Sequence, residues 1–167
     1  GEKVEEKKIK GTISRKEILQ VLESFTGEIE QTPPMFSAVK VNGTRLYEYA
    51  RKGIEVERPT RKVTIYRLEL LDEREEFSGE TISFRFRVSC SKGTYIRTLA
   101  VMIGESLGYP AHMSNLIRVQ SAAFTIDDCL TFEQIEKLME TGTISTCLRP
   151  LEMALSHLPK YIINDKV

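Results

Sequence analysis

Arg87-Val-Ser-Cys-Ser-Lys-Gly-Thr-Tyr-Ile-Arg-Thr-Leu99 decides the reading of this chain. A strand-like run from Ile82 to Cys90 stops at Ser91-Lys92-Gly93, and an apolar helical pattern then starts with Tyr95 and Arg97 in its first turn. A strand, a glycine turn and a helix start present a few side chains to a ligand from a rigid base. The groups presented are an ammonium, a phenol and a guanidinium, which suit a phosphate-bearing planar substrate better than a small neutral one.

Outward from this turn, Arg61 to Leu71 sets Val63, Ile65 and Leu68 among charged residues, the pattern of a half-exposed strand. It pairs as an antiparallel hairpin with the run holding Ile82, Phe84, Phe86 and Val88, across an acidic loop. Ser14 with Glu17 is a capping-box signature that opens a helix from about Arg15 to Phe25, ended by Gly27. Pro33-Pro34 forbids helix and favours an extended entry into Met35 to Val41. Asn42-Gly43 marks a hairpin turn, and Leu46 to Arg51 reads as a short helix closed at Gly53. The central helix runs from Tyr95 to Leu107, ended by Gly108 and Pro110. Residues 113 to 126 read as a strand, with Leu116 and Val119 toward one side, Thr131 with Gln134 opens a helix to Met139, and Arg149 to Leu158 reads as a last short helix. The order predicts an α+β fold, a mixed and mostly antiparallel sheet flanked by helices.

A length of 167 residues is about one domain's worth. No apolar run approaches the roughly 18 residues of a transmembrane helix, and the charged, strand-like stretch from Gly1 to Lys10 is no signal peptide. Cys90, Cys129 and Cys147 are too scattered for a metal cluster and odd in number, which argues against a disulfide framework and for a reducing, cytoplasmic setting. The net charge is zero, but its distribution is uneven: residues 40 to 67 hold eight Lys/Arg against three acids, and residues 81 to 100 hold Arg85, Arg87, Lys92 and Arg97 with no acid. Between them, Glu69 to Glu80 carries six acids and one arginine. The two basic segments either form one positive face or are simply solvated strands, and charge alone favours the second.

The residues show no catalytic engine by themselves. His112 and His157 sit in no ligand or triad pattern and read as structural or surface residues. Ser37, Ser91 and Ser121 lack a nucleophile setting, no phosphate-cradling glycine loop occurs, and Asp127-Asp128 reads as a helix-entry loop.

Gln31-Thr-Pro-Pro-Met-Phe-Ser-Ala-Val-Lys40, Asn42-Gly-Thr-Arg-Leu-Tyr-Glu-Tyr-Ala-Arg51 and Cys90-Ser-Lys-Gly-Thr-Tyr-Ile-Arg97, with Ile103-Gly104, Leu107-Gly108 and Ala111-His112, occur in an order that resembles the TruB family of bacterial tRNA pseudouridine synthases. The likeness runs from about residue 14 to about residue 140. It implies a pseudouridine synthase-type catalytic domain and isomerisation of uridine 55 in the T-arm of tRNA, without cofactor. Arg97 matches the family's arginine that pairs with a catalytic aspartate, and Tyr95 matches the tyrosine that stacks on the target base. Leu116 matches an apolar residue that closes the pocket beneath it. Lys92 is the candidate phosphate contact beside the pocket. Lys40, Arg45 and Arg51 are candidates to grip the T-arm backbone through salt-dependent contacts, while Phe36 and Ser37 are expected to shape the floor of the site. Met102 departs from the family, many of whose members carry an acid before the Ile-Gly pair.

The family's nucleophile lies in a Gly-His-Thr-Gly-Thr-Leu-Asp-Pro-type segment, and the four aspartates here, Asp72, Asp127, Asp128 and Asp165, lack that context. Residues 1–158 are therefore expected to be the central and C-terminal part of the catalytic domain. Residues 159–167 are expected to start a linker to a C-terminal RNA-binding extension. The fragment alone is expected to be inactive and to self-associate through surface left exposed. The alternative is a non-catalytic RNA-binding or RNA-chaperone module of the same fold.

Overall fold

The structure is a computed structural model that describes residues 4–155, 158, 159 and 161. They fall in two compact units, 1–114 and 115–167.

In the first unit, β1 (Ile13–Ser14) runs straight into α1 (Arg15–Ser24). The Ser14 hydroxyl accepts the Glu17 N–H at 3.2 Å, and the Glu17 carboxylate accepts the Ser14 N–H at 2.8 Å. This is the predicted capping box, and it satisfies helix-end donors that have no partner within the helix. α1 buries Ile18 and Leu22, four apart on one face. Gly27, at φ 106°, turns the chain into β2 (Gly27–Gln31), a strand that the sequence pattern did not predict. It pairs antiparallel with β5 (Arg61–Leu70), which pairs antiparallel with β7 (Phe86–Cys90), giving a three-stranded sheet in the order β2-β5-β7. The β5–β7 pairing is as expected, except that the ladder begins at Phe86. Ile82 and Phe84 pack on the core without joining it.

Within the acidic connection, β6 (Glu76–Phe77) pairs with β1, and Phe77 is buried beneath the Arg74 guanidinium, 4.5 Å from the ring centre. Arg74 also holds the Asp72 carboxyl below its ordinary pKa through a hydrogen bond of 2.7 Å. The core joins Ile18 and Leu22 of α1, Ile65 of β5 and Phe77 to Leu99 and Ile103 of α3 (Ile96–Ser106). Gly104 is buried on α3, where an added Cβ would collide with the Ala111 side chain and stand 2.8 Å from the Tyr109 carbonyl oxygen.

Three expectations for this unit are corrected. Residues 35–38 bend and do not extend, because the Ser37 N–H turns back to the Met35 carbonyl at 3.0 Å; only β3 (Lys40–Val41) is strand. Tyr95, expected in the first turn of α3, stands before it as the N-cap, while Arg97 lies within that turn. Residues 4–10, expected to be strand-like, have no regular structure, and residues 1–3 lie outside those described. The Lys7 ammonium caps the Gly108 carbonyl at the end of α3, at 2.6 Å. The predicted hairpin is present as β3 and β4 (Thr44–Arg45). Asn42 at φ 51° and Gly43 at φ 80° supply the two left-handed residues such a tight turn needs. α2 (Leu46–Arg51) follows.

In the second unit, the strand expected over residues 113–126 is replaced by a small hairpin, β8 (Gln120–Ser121) with β9 (Phe124–Thr125), turned at Ala122. Asp128 accepts the Thr125 N–H at 2.8 Å and its hydroxyl at 2.9 Å, which lowers its pKa and accounts for the acidic pair as a capped turn. α4 (Phe132–Glu140) opens with the predicted Thr131–Gln134 box. A 3-10 helix at Leu151–Leu155 stands where a short helix was expected. His157 and most of the expected linker lie outside the described residues. Every strand pair among the described residues is antiparallel, and the fold is α+β, with its antiparallel strands flanked by helices.

Candidate functional site

The strand–turn–helix that opened the sequence reading is built tightly at its base. Ser91 prolongs the β7 ladder, since its N–H donates to the Thr64 carbonyl at 2.8 Å and its hydroxyl accepts the Thr64 N–H at 2.9 Å. Its carbonyl accepts the Thr94 hydroxyl at 2.8 Å, closing a turn over Gly93 at φ 85°. Lys92 is exposed at the tip of that turn, and half-buried Tyr95 caps α3.

Two long-range contacts join this turn to the Gln31–Phe36 segment. The buried Gln31 amide accepts the Tyr95 N–H at 2.9 Å and donates to the Tyr95 carbonyl at 3.3 Å. Arg97 donates from Nη2 to the Phe36 carbonyl at 2.7 Å. A guanidinium has five N–H donors, and among the described residues Arg97 makes no ion pair with a carboxylate. It faces an open cavity of about 230 Å³, lined also by Thr32, Pro34, Arg58, Thr98 and Val101. Arg58 is anchored like Arg97, donating to the Pro33 carbonyl at 3.0 Å. The Phe36 ring is 61% exposed, whereas Ser37 is buried with no hydrogen-bond partner for its hydroxyl. An arginine held by a carbonyl at the rim of an open cavity can receive an anionic group without first breaking a salt bridge.

Lys40, Arg45 and Arg51 are brought together. Lys40 and Arg45 are cross-strand partners in the hairpin. The Arg45 and Arg51 guanidiniums lie 5.8 and 5.3 Å from the Tyr47 ring centre, and Arg45 donates to the Tyr47 hydroxyl at 2.9 Å. That hydrogen bond raises the Arg45 pKa further. An aromatic flanked by guanidiniums is a surface suited to phosphates and bases. Leu116 belongs to the second unit and is 51% exposed.

Sequence reasoning missed Gln31, Tyr47 and Arg58. A glutamine before Pro-Pro reads as loop, and no spacing rule links it to a tyrosine in another motif. Tyr47, between Arg45 and Arg51, was the one detectable signal. Met102 places its sulfur 4.0 Å from the Gln31 amide nitrogen. Among the described residues, no three His, Cys, Asp or Glu side chains are grouped to hold a metal, and no helix is long and apolar enough to cross a membrane.

Comparison with known proteins places this architecture among pseudouridine synthases. The chain superposes on a Cbf5 chain in a Cbf5–Nop10–Gar1 complex with a TM-score of 0.67 and 32% identity, covering 89% of this chain and 41% of the other. A chain from an H/ACA ribonucleoprotein bound to a substrate RNA containing 2′-deoxyuridine matches with a TM-score of 0.62 and 26% identity, over 91% and 40%. Residues 1–96 match the TruB family pseudouridylate synthase N-terminal domain, and residues 97–156 match the tRNA pseudouridylate synthase B C-terminal domain. The chain belongs to the TruB family. It is 71% identical over 155 residues to the tRNA pseudouridine synthase B of Geobacillus kaustophilus, covering 93% of this chain and 54% of that protein. With the Bacillus cereus protein of the same name it shares 58% over 166 residues, covering 99% and 54%. The chain thus spans about half the length of these relatives.

Proposed function

We propose that the intact protein isomerises uridine 55 in the T-arm of tRNA to pseudouridine in the cytoplasm, and that residues 1–158 contribute the central and C-terminal part of its catalytic domain. Residues 159–167 would begin a linker to an RNA-binding extension. One observation carries this reading. The two segments that resemble the family most closely are hydrogen-bonded to each other, Gln31 to Tyr95 and Arg97 to Phe36, across 64 and 61 positions.

A catalytic aspartate from elsewhere in the intact protein would attack the flipped uridine. The glycosidic bond breaks, the ring turns and rejoins through C5 as the aspartate is released, the C5 proton being lost and N1 taking one up. Arg97 keeps that aspartate ionised and aimed, because a guanidinium beside a carboxyl favours its charged form. Tyr95 stacks on the extruded base, and its hydroxyl is placed to take part in proton transfer at C5. Phe36 and Ser37 form the turn whose carbonyl holds Arg97. Lys92 contacts a phosphate beside the pocket, and Lys40, Arg45 and Arg51 around Tyr47 grip the T-arm backbone.

In the intact protein, Arg97→Ala is expected to lower tritium release from a 5-tritiated-uridine T-arm stem-loop by at least about 10²-fold, with RNA affinity largely kept. Near-normal release would overturn the role of Arg97. Absence of release by the unsubstituted intact protein would favour a non-catalytic RNA-binding module.

A further inference from the structure

Gln31 ends β2, is only 2% exposed, and takes no part in the chemistry set out above. Its primary amide presents an acceptor and a donor side by side, and both are used on a single residue. Oε1 accepts the Tyr95 N–H at 2.9 Å, and Nε2 donates to the Tyr95 carbonyl at 3.3 Å. The side chain thus acts as the neighbouring strand that Tyr95 lacks. Tyr95 is extended at φ −95°, ψ 102°, and its own side chain makes no capping bond to the helix. The same Tyr95 carbonyl accepts the Leu99 N–H at 2.9 Å, the first bond of α3. The Gln31 amide therefore fixes both peptide planes that flank the Tyr95 Cα, from which the ring departs, at the point where the direction of α3 is set. Arg97 follows two residues later on the first turn.

We propose that Gln31 is a positioning residue, which holds the backbone of Tyr95 so that the ring, and through the first turn of α3 the Arg97 guanidinium, meet the flipped base in a productive geometry. This rests on the isomerase reading. Small misplacements of reacting groups cost rate more than affinity, up to about 10²-fold for about 1 Å.

The test uses the intact protein carrying Gln31→Leu, Gln31→Glu, Tyr95→Phe, or Gln31→Leu with Tyr95→Phe. Single-turnover tritium release at saturating T-arm stem-loop, RNA affinity and melting temperature are measured for each. Gln31→Leu is expected to lower the rate by roughly 10- to 100-fold with unchanged affinity. Gln31→Glu keeps the acceptor and loses the donor, so its rate falls between, and it carries the test if Gln31→Leu does not fold. In the Tyr95→Phe background, Gln31→Leu is expected to cost much less than it does alone, as for residues that act as a unit. Additive losses, an unchanged rate in a folded Gln31 variant, or a loss confined to RNA affinity would each overturn the inference while leaving the isomerase reading intact. No release by the unsubstituted protein would instead overturn that reading, and the inference with it.

Discussion

α1 and α4 begin with the same device, a hydroxyl N-cap with a reciprocating Glu or Gln at the third helical position. Beyond the cap they diverge. α1 buries Ile18 and Leu22 completely against β5, Phe77 and α3. α4 buries nothing: Phe132 is 83% exposed, and no described residue of the second unit is buried. Caps and periodicity start a helix, but most of its stability comes from an apolar face that finds a partner. The first unit supplies such a partner within its own fold, and the described part of the second does not.

The largest expected effect probes this contrast directly. Ile18→Ala should destabilise the first unit by about 2–5 kcal/mol in urea unfolding, while Phe132→Ala should stay within about 0.5 kcal/mol. Equal costs would break the comparison. Gly104→Ala comes next, at about 1–3 kcal/mol, because α3 must move away from Ala111 and Tyr109; an unchanged melting temperature would show that the approach is looser than described. Removing the caps should cost less than either Ile18→Ala or Gly104→Ala. Ser14→Ala should cost about 1 kcal/mol of global stability, whereas Thr131→Ala should reduce helicity without moving the main transition.

The pH dependence of the first cap has a definite sign. The Glu17 pKa is lowered by its bonds from the Ser14 hydroxyl and the Ser14 N–H. Its contribution is complete above the ordinary carboxylate pKa and is lost as pH falls through the lower folded-state value. Ser14→Ala should therefore flatten the acid limb of the stability curve.

The residues that announce structure locally were legible in the sequence. Ser14–Glu17, Thr131–Gln134 and Asn42-Gly43 each specify their geometry within four residues, and the alternation of β5 was long enough to be seen. β2 was hidden because Gly-Glu-Ile-Glu-Gln offers one apolar side chain and is a strand only by virtue of β5. Phe77 was hidden by its acidic neighbours, although it is among the most buried side chains. The expected strand over 113–126 rested on Leu116 and Val119, whose spacing of three is not the period of a strand; both are exposed. At the candidate site, the motif residues Tyr95 and Arg97 could be named from the sequence. The amide and carbonyl that hold them could not, because nothing local couples residues 64 and 61 positions apart.

The bond between Gln31 and Tyr95 also bears on the order of folding. Its partners bracket the hairpin, α2, β5, β6 and β7. Closing so long a loop costs chain entropy before any contact returns it, and the paired β2-β5-β7 ladder brings the two ends together first. The hydrogen bonds from the Gln31 amide to Tyr95 are therefore expected to form late, after the ladder that carries Gln31. Competence of the site thus reports on completion of the unit that carries it.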